Sequence, residues 1–184
     1  ARSGRRSKSS EGTPAPKAGI AAAPFATGSW TPGAEPIRAR SAFSTAASRR
    51  RPEWFHPVPG APVIFEAMRS SGWAVAIATG GWRRTARLKL EAAGIPHVDV
   101  PAAHADDAHP REKIIEIAMT RARESSGGTF DRGVYVGDGR WDVLATDRMG
   151  LGFVGIAEGD RADLLRSVGA TTVLPDYRDF SAFL

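Results

Sequence analysis

The sequence predicts an α/β domain built on a doubly wound parallel sheet. From about residue 57 onward, short apolar runs of strand length alternate with amphipathic stretches of helical length, and this alternation is typical of parallel sheets covered by helices on both faces. The strand-like runs are continuously apolar, as expected for strands that are buried on both sides. The sequence contains no internal repeat.

The first predicted elements lie between residues 62 and 123. A short helix begins at Pro62 and stops before Gly72, because proline is favoured in the first helical turn and glycine just after the last. Residues 73–78 form a continuous apolar strand. The next predicted elements are a helix over 82–93, a short strand over 98–100 and a helix over 111–123 that follows Pro110.

The second part of the pattern repeats the alternation with shorter connections. Its predicted elements are a strand over 133–137, a helix over about 141–149, a strand over 152–156, a helix over about 160–168, a strand over 171–174 and a short helix near Phe180. Strands that alternate with helices in this way are expected to lie parallel in one sheet.

The positive charge of the chain is concentrated at its start. Residues 1–51 hold ten Lys and Arg against two Glu, whereas residues 52–184 hold fifteen basic and eighteen acidic residues. The sequence pI of about 10.2 therefore reflects the first segment. Since the predicted domain is mildly acidic, its net charge does not indicate a nucleic-acid-binding surface.

Residues 1–51 are expected to be mostly disordered, and residues 52–184 to form the domain. The first segment is rich in Ala, Ser, Pro, Gly and Arg, which bury too little apolar surface to offset the entropy lost on ordering. It could be a basic tail that contacts polyanions, an acid-poor targeting segment, a stretch foreign to the domain, or a solvated tail without function.

Composition also limits the kinds of site and the cellular location that we expect. The chain has no cysteine, which rules out disulfide frameworks and thiolate metal centres. No apolar run reaches the roughly 20 residues that a membrane helix needs. We therefore expect a cytoplasmic protein without a membrane segment, and the sequence leaves its oligomeric state open.

Two carboxylates follow the predicted strand over 133–137. Asp138 comes directly after Gly137, and Asp142 lies four residues further on, where the next helix should begin. Ligands bind at the carboxyl ends of parallel strands, and carboxylate oxygens suit a hard cation such as magnesium. The alternative is structural, since aspartate is also common in turns and at helix starts.

A phosphate site is predicted after the strand over 73–78. Thr79 is followed by Gly80 and Gly81, which lead into a helix whose first N–H groups should be unpaired. Lys113 lies in the first turn of another helix, where the helix dipole disfavours a cation. It could be there to meet an anion, or it could be a solvated surface lysine.

The sequence presents, in this order, Thr79, Lys113, and the Gly137-Asp138 pair with Asp142. These residues resemble the second, third and fourth motifs of the haloacid dehalogenase-like hydrolases. That family consists mostly of magnesium-dependent phosphohydrolases. The resemblance implies that Thr79 hydrogen-bonds the phosphoryl group, Lys113 neutralises charge, and Asp138, supported by Asp142, binds Mg²⁺. Such roles fit phosphoryl transfer, where neutralising oxygen charge supplies most of the catalysis.

The first motif of the family, a strand ending in Asp-x-Asp, is absent. Its first aspartate is the nucleophile, yet the first aspartate of this chain is Asp99, well after Thr79. We therefore expect little or no turnover and weakened Mg²⁺ affinity. The motif-bearing strand is central in family members, so its position must be filled by part of the tail (residues 19–27 are the least polar), by closure of its neighbours, or by another chain.

Two further features have simpler interpretations. Residues 104–109 carry two histidines and two aspartates, which are ligand types for zinc, but a polar loop that supplies Asp106 or Asp107 as a helix-start charge ahead of Pro110 is preferred. Trp82 and Trp141 are interpreted as core or subsite residues. No segment has the composition expected of a cap domain.

Three hypotheses follow for the function of the chain. It is an incomplete phosphatase-type member of the family with little or no activity, a complete enzyme assembled with a missing piece from elsewhere, or a non-catalytic protein. The third would bind a phosphate ligand near Thr79 or polyanions through residues 1–51.

Overall fold

The computed structural model describes residues 17–21 and 57–183, which form a parallel sheet with helices on both faces. This architecture confirms the predicted doubly wound α/β class. The six strands are β1 (Lys17–Ala21), β2 (Trp73–Ala78), β3 (Ala102–Ala103), β4 (Gly133–Gly137), β5 (Gly152–Ile156) and β6 (Thr172–Leu174).

The strand order is β3-β2-β1-β4-β5-β6, which places β1 in the interior of the sheet. All five residues of β1 pair with β2, where Ala21 lies opposite Ile77, and four of them pair with β4, where Ala21 lies opposite Val136. The inner edges of β2 and β4 are therefore both paired. β1 separates the two strands that precede the predicted site residues.

The expectation that the central strand is missing is therefore wrong. Of the three proposed ways to fill its position, the structure selects a part of the N-terminal segment, Lys17–Ala21, which overlaps the least polar stretch over residues 19–27. Alanine and glycine have low strand propensity, so the strand is specified by two pairing partners rather than by its own sequence. Residues 1–16 and 22–56, including most of the segment predicted to be disordered, lie outside the described part of the chain.

The described residues also form five helices and one terminal turn. They are α1 (Ala61–Ser70), α2 (Arg83–Ala92), α3 (Arg111–Ser126), α4 (Arg140–Met149), α5 (Gly159–Ser167) and a 3₁₀ turn (Phe180–Phe183). Helix α3 runs three residues beyond its predicted end at residue 123. It stops at Gly127, whose φ of 69° is the left-handed conformation that favours glycine at a helix end.

The helices cover the two faces of the sheet with separate hydrophobic cores. Ile64 and Phe65 of α1 and Leu90 of α2 belong to one core. Ile115 of α3 and Ala145 of α4 belong to the other. Helices α2 and α4 therefore begin at the same edge of the sheet but on opposite faces.

One predicted strand is misplaced. The pattern favoured residues 98–100, whereas β3 consists of Ala102 and Ala103, which pair with Ile77 and Ala78 at the end of β2. The backbone N–H of Thr79 continues this pairing with the Ala103 carbonyl at 3.0 Å. The position of β3 is thus set by the end of β2 and not by the most apolar local residues.

None of the helices in the described residues has the length and apolar character needed to span a membrane.

Candidate functional site

The candidate site lies at the carboxyl edge of the sheet, on either side of β1. Thr79 follows β2 and Asp138 follows β4. Because β1 pairs with both strands, the strands that carry these residues are about 10 Å apart. In the sequence, Ala22, Ala23 and Pro24 come directly after β1, so no carboxylate follows this strand as one follows β4.

Thr79 is almost buried, with 9% of its surface exposed. Its hydroxyl oxygen accepts the Gly81 N–H at 3.1 Å, which leaves the hydroxyl hydrogen available to a ligand oxygen. The Gly80 N–H has no hydrogen-bond partner among the described residues. One hydroxyl and one backbone donor therefore remain as the phosphate-binding groups expected after β2.

Arg111, the first residue of α3, supplies the cation of this part of the site. A Cβ added at Gly80 would lie 3.3 Å from the central carbon and both terminal nitrogens of the Arg111 guanidinium. The guanidinium therefore lies flat against Gly80. A side chain at position 80 would therefore require the guanidinium to shift by a few tenths of an ångström. Arg111 was not singled out from the sequence, although it directly follows Pro110.

Lys113, which the sequence places in the site, forms a different contact in this structure. Its Nζ atom forms an ion pair with Glu116 at 2.6 Å, and 60% of its side chain is exposed. Each residue of an α-helix is rotated by about 100° from the one before it, so residues 111 and 113 project in nearly opposite directions. The cation at this helix start is therefore supplied by Arg111.

Asp142 is the most buried carboxylate of the site, with 2% of its surface exposed. Its Oδ1 atom lies 3.1 Å from Nε of Arg111 and accepts the Tyr135 hydroxyl at 3.3 Å, and its Oδ2 atom accepts the Gly139 N–H at 3.2 Å. Burial is the main reason why the pKa of Asp142 rises to about 6; Arg111 opposes the rise and Asp138 adds to it.

Tyr135 connects the two sides of the site beneath the carboxyl edge. It is completely buried, and its hydroxyl lies 3.2 Å from the carbonyl of Ala78 at the end of β2 and 3.3 Å from Asp142. Burial, together with the nearby negative charge of Asp142, raises the pKa of the Tyr135 hydroxyl well above its ordinary value. The hydroxyl therefore stays neutral and can act as a donor.

Asp138 is the more accessible carboxylate. Its Oδ2 atom accepts a hydrogen bond from Arg161, in the first turn of α5, at 3.0 Å, and 37% of its side chain is exposed. A second cation, Lys89, is also nearby: burial lowers the pKa of Lys89, and attraction to Asp138 opposes this shift. Asp138 thus lies among positive charges that partly neutralise it.

The donor set fits Mg²⁺ only in part. Carboxylate oxygens are suitable ligands, and Mg²⁺ often binds one or two carboxylates and several waters. Both oxygens of Asp142 are already engaged by Arg111, Tyr135 and Gly139, whereas only one oxygen of Asp138 is engaged by a described residue. No group of three or more metal-ligating His, Cys, Asp or Glu side chains occurs within residues 17–21 and 57–183.

The polar loop before α3 has a structural role that differs from the prediction. Asp106 accepts the Arg83 N–H at 2.6 Å, so it caps the start of α2 and not that of α3. Asp107 accepts hydrogen bonds from the side chains of Arg83 and Arg121 at 2.8 and 2.9 Å and from the His104 N–H at 2.8 Å. The hydrogen bond from Arg121 is the largest cause of the lowered pKa of Asp107.

The two tryptophans next to the site loops are exposed and do not belong to the core. Trp82 immediately precedes α2 and is 39% exposed, while Trp141, in the first turn of α4, is 57% exposed. Trp73, by contrast, is buried, with 3% of its surface exposed. Of the two interpretations drawn from the sequence, only a position lining the site fits these exposures.

Comparison with solved structures supports the fold. A hydrolase from Pseudomonas syringae superimposes with a TM-score of 0.63 and 23% identity, over 86% of this chain and 76% of that one. A haloacid dehalogenase-like family hydrolase from Streptococcus pneumoniae gives 0.57 and 16%, over 91% and 98%. A HAD family hydrolase from Deinococcus radiodurans R1, with bound phosphate and sodium, gives 0.51 and 18%, over 82% and 75%.

Comparison by sequence bears on the family to which the chain belongs. No curated protein matches the chain. The family model of the haloacid dehalogenase-like hydrolases matches residues 36–150, a range that includes β2, Thr79, Arg111, Asp138 and Asp142 but begins after β1. Because this match covers more than half of the chain, the protein belongs to the haloacid dehalogenase-like hydrolases.

Proposed function

We propose that this chain is a phosphatase-type member of its family that binds phosphate monoesters but hydrolyses them poorly or not at all. One observation supports both parts of the proposal. Phosphate-binding groups after β2 and carboxylates after β4 flank β1, yet the sequence after β1 reads Ala22-Ala23-Pro24. The binding groups have thus been retained while the attacking group has been lost.

Anion binding is supported by the groups around Thr79. The Thr79 hydroxyl hydrogen and the Gly80 N–H can each donate to a phosphate oxygen, and the Arg111 guanidinium against Gly80 supplies positive charge. The start of α2 contributes less than the sequence implied, since Asp106 already accepts the Arg83 N–H. We therefore expect the phosphate to contact Gly80 and Arg111 and not the N–H of Arg83.

Loss of turnover follows from the family reaction, in which an aspartate attacks phosphorus. Asp138 and Asp142 are held by Arg161 and Arg111, and neither is positioned after the central strand. The only carboxylates in residues 1–51 are Glu11 and Glu35, which lie outside the described residues. Without a carboxylate nucleophile the covalent route is closed.

Magnesium is proposed as a weak cofactor. When bound, it would neutralise negative charge on the phosphate oxygens. Asp138 would hold the ion through its unpaired oxygen, and Asp142 would support it only after exchanging its present hydrogen bonds. We therefore expect a lower Mg²⁺ affinity than a site with a third carboxylate would give.

The binding part of the proposal is tested with inorganic phosphate. Isothermal titration should detect binding to the full chain, and Arg111→Gln should weaken it at least about tenfold, since a charge-assisted hydrogen bond is lost. Lys113→Gln is the matched control, because it removes the same charge from the same helical turn and should leave the affinity unchanged. If Lys113→Gln weakens binding and Arg111→Gln does not, the assignment of the cation is wrong.

The catalytic part is tested with 4-nitrophenyl phosphate and Mg²⁺. Turnover by the full chain should not exceed that of Asp138→Asn, because neither protein has the nucleophile. Clear turnover that disappears in Asp138→Asn would show that a carboxylate from elsewhere completes the site. This outcome would favour the second hypothesis, a complete enzyme.

A second candidate function concerns residues 1–51, whose ten basic residues favour contact with polyanions. Since β1 lies inside this segment, deletion of all 51 residues would also disrupt the sheet. Deletion of residues 1–16, which contain Arg2, Arg5, Arg6 and Lys8, is the better test. Nucleic-acid binding that falls with salt and weakens on this deletion would support the candidate; binding that is absent or unchanged would not.

A further inference from the structure

Six large hydrophobic side chains are exposed in the described part of the chain, and both of the tryptophans among them adjoin the candidate site. Trp82 follows the Thr79-Gly80-Gly81 loop directly, and Trp141 follows Asp138 by three residues. Tryptophan is enriched at binding surfaces, because it combines a large apolar ring with a polar N–H group. The remaining four exposed side chains are Val63, Val98, Leu144 and Leu164.

Trp141 is held against the loop that carries Asp138. A Cβ added at Gly139 would lie 2.4 to 2.8 Å from three atoms of the Trp141 indole, so the ring lies directly on the Gly139 backbone. Glycine at position 139 is therefore required for this ring position. The indole thus packs on the backbone of the residue that follows Asp138, although 57% of Trp141 remains exposed.

The two tryptophans approach the site from opposite faces of the sheet. Trp82 precedes α2, which packs through Leu90 into one hydrophobic core, and Trp141 belongs to α4, which packs through Ala145 into the other. The strands before them, β2 and β4, flank β1. The two tryptophans therefore follow the two strands that flank β1, one at the start of a helix on each face of the sheet.

Three cations lie next to the tryptophans in sequence, and the one anion that adjoins them, Asp142, is buried and paired with Arg111. Arg83 and Arg84 follow Trp82, and Arg140 precedes Trp141. Arg84 and Arg140 are exposed and form no ion pair with described residues. This part of the site combines flat apolar surface with positive charge, which suits an anionic ligand that carries a planar group.

We propose that Trp82 and Trp141 bind the organic group of the phosphate ester and select planar aromatic groups over aliphatic ones. This inference rests on the proposed phosphate binding and names the substrate class of the same site. Stacking on an indole favours an aromatic group by an amount that corresponds to about fivefold in affinity for each ring. A small aliphatic ester gains the phosphate contacts but not the stacking.

The test compares three ligands by isothermal titration with the full chain: inorganic phosphate, glycerol phosphate and phenyl phosphate. Phenyl phosphate should bind at least about fivefold more tightly than glycerol phosphate. Trp82→Ala and Trp141→Ala should each reduce this preference, and the double variant should remove it, while the affinity for inorganic phosphate stays unchanged. Val98→Ala is the matched control, since Val98 is 83% exposed and lies after α2, away from the carboxyl edge.

The outcomes separate the two proposals. If inorganic phosphate binds but the two esters bind equally, or if the preference for phenyl phosphate persists in the double variant, the assignment of the tryptophans is overturned and phosphate binding stands. If none of the three ligands binds, the proposed function fails, and this inference fails with it. Thermal melts of each variant show whether a change in affinity reflects loss of the fold.

Discussion

The two sides of the candidate site use their polar groups in different ways. After β2, the Thr79 hydroxyl hydrogen and the Gly80 N–H have no acceptor among the described residues, and the Arg111 guanidinium lies beside them. After β4, Asp142 is buried and engaged by Arg111, Tyr135 and Gly139. The β2 side can accept an anion without rearrangement, whereas on the β4 side Asp142 must give up existing contacts before it can support a metal ion.

Under the proposed function, this difference would account for phosphate binding without efficient hydrolysis. Phosphate recognition depends on donors and a cation, which the β2 side still provides. Catalysis also needs a carboxylate nucleophile and a metal site, which depend on β1 and β4 together. The buried arrangement around Asp142 has become a structural link between α3, α4 and β4.

The largest expected effect comes from removing the strand between the two sides. Deletion of residues 1–21 eliminates β1 and leaves β2 and β4 with unpaired inner edges, which should remove most of the net stability of a domain, on the order of 5 kcal/mol or more. Deletion of residues 1–16 keeps the strand and is the control. Thermal unfolding followed by circular dichroism measures both, and similar melting curves would show that β1 is not the central strand.

A smaller loss of stability is expected from Asp107→Asn. This substitution tests the hydrogen bonds that join the loop before α3 to Arg83 of α2 and Arg121 of α3. The Asp107 side chain is only 9% exposed and accepts hydrogen bonds from Arg83, Arg121 and His104, so its loss should cost about 3 kcal/mol. Asp163→Asn is the control, because Asp163 forms an exposed ion pair with Arg166 that should contribute little. Urea denaturation of both variants checks the difference, and equal losses would contradict it.

Asp142→Asn should change the pH dependence of stability on the β4 side. Burial raises the pKa of Asp142 to about 6 in the folded chain, from an ordinary value of 3.8. The stability that accompanies its protonation is fully present below 3.8 and is lost as the pH rises through 6. Relative to Asp142→Asn, the original protein should therefore lose about 2 to 3 kcal/mol between pH 4 and pH 7.5.

Urea denaturation at several pH values, with EDTA present, measures this change. The absolute stability of Asp142→Asn also reflects altered contacts with Arg111 and Tyr135, so the informative quantity is how the difference varies with pH. A difference that is constant, or that has the opposite slope, would show that Asp142 is not protonated near pH 6.

The smallest effect is expected from Tyr135→Phe, which removes the hydroxyl that joins the two sides. The loss of its contacts with Ala78 and Asp142 should cost about 1 kcal/mol. Since the hydrogen bond from Tyr135 lowers the pKa of Asp142, the pH transition described above should move upward. Tyr177→Phe is the control, because the buried Tyr177 hydroxyl has no hydrogen-bond partner among the described residues, and its removal should be close to neutral.

Much of the fold could be predicted because local patterns agreed with the final packing. The strands over 73–78, 133–137 and 152–156 have the predicted bounds, since each is a short apolar run between turn residues. β3 was misplaced because its two alanines are defined by pairing with the end of β2. β1 was only one of three alternatives, because Lys17–Ala21 has no strand pattern of its own.

The site could be predicted to the level of its loops but not of every side chain. Thr79, Asp138 and Asp142 stand at strand ends or helix starts, which the sequence indicates directly. Whether Arg111 or Lys113 faces the site depends on the rotation of α3 against the sheet, and only the packed helix shows that Lys113 points to Glu116. Asp106 likewise caps a helix that begins 23 residues earlier in the chain.

The sequence by itself determined the fold class, the family resemblance and the lack of an early aspartate, because these depend on residue type and short-range periodicity. The tertiary structure decided which segment fills the centre of the sheet, which cation reaches Gly80, and which carboxylate is buried. These outcomes depend on contacts between residues far apart in the chain, whose geometry no local pattern encodes.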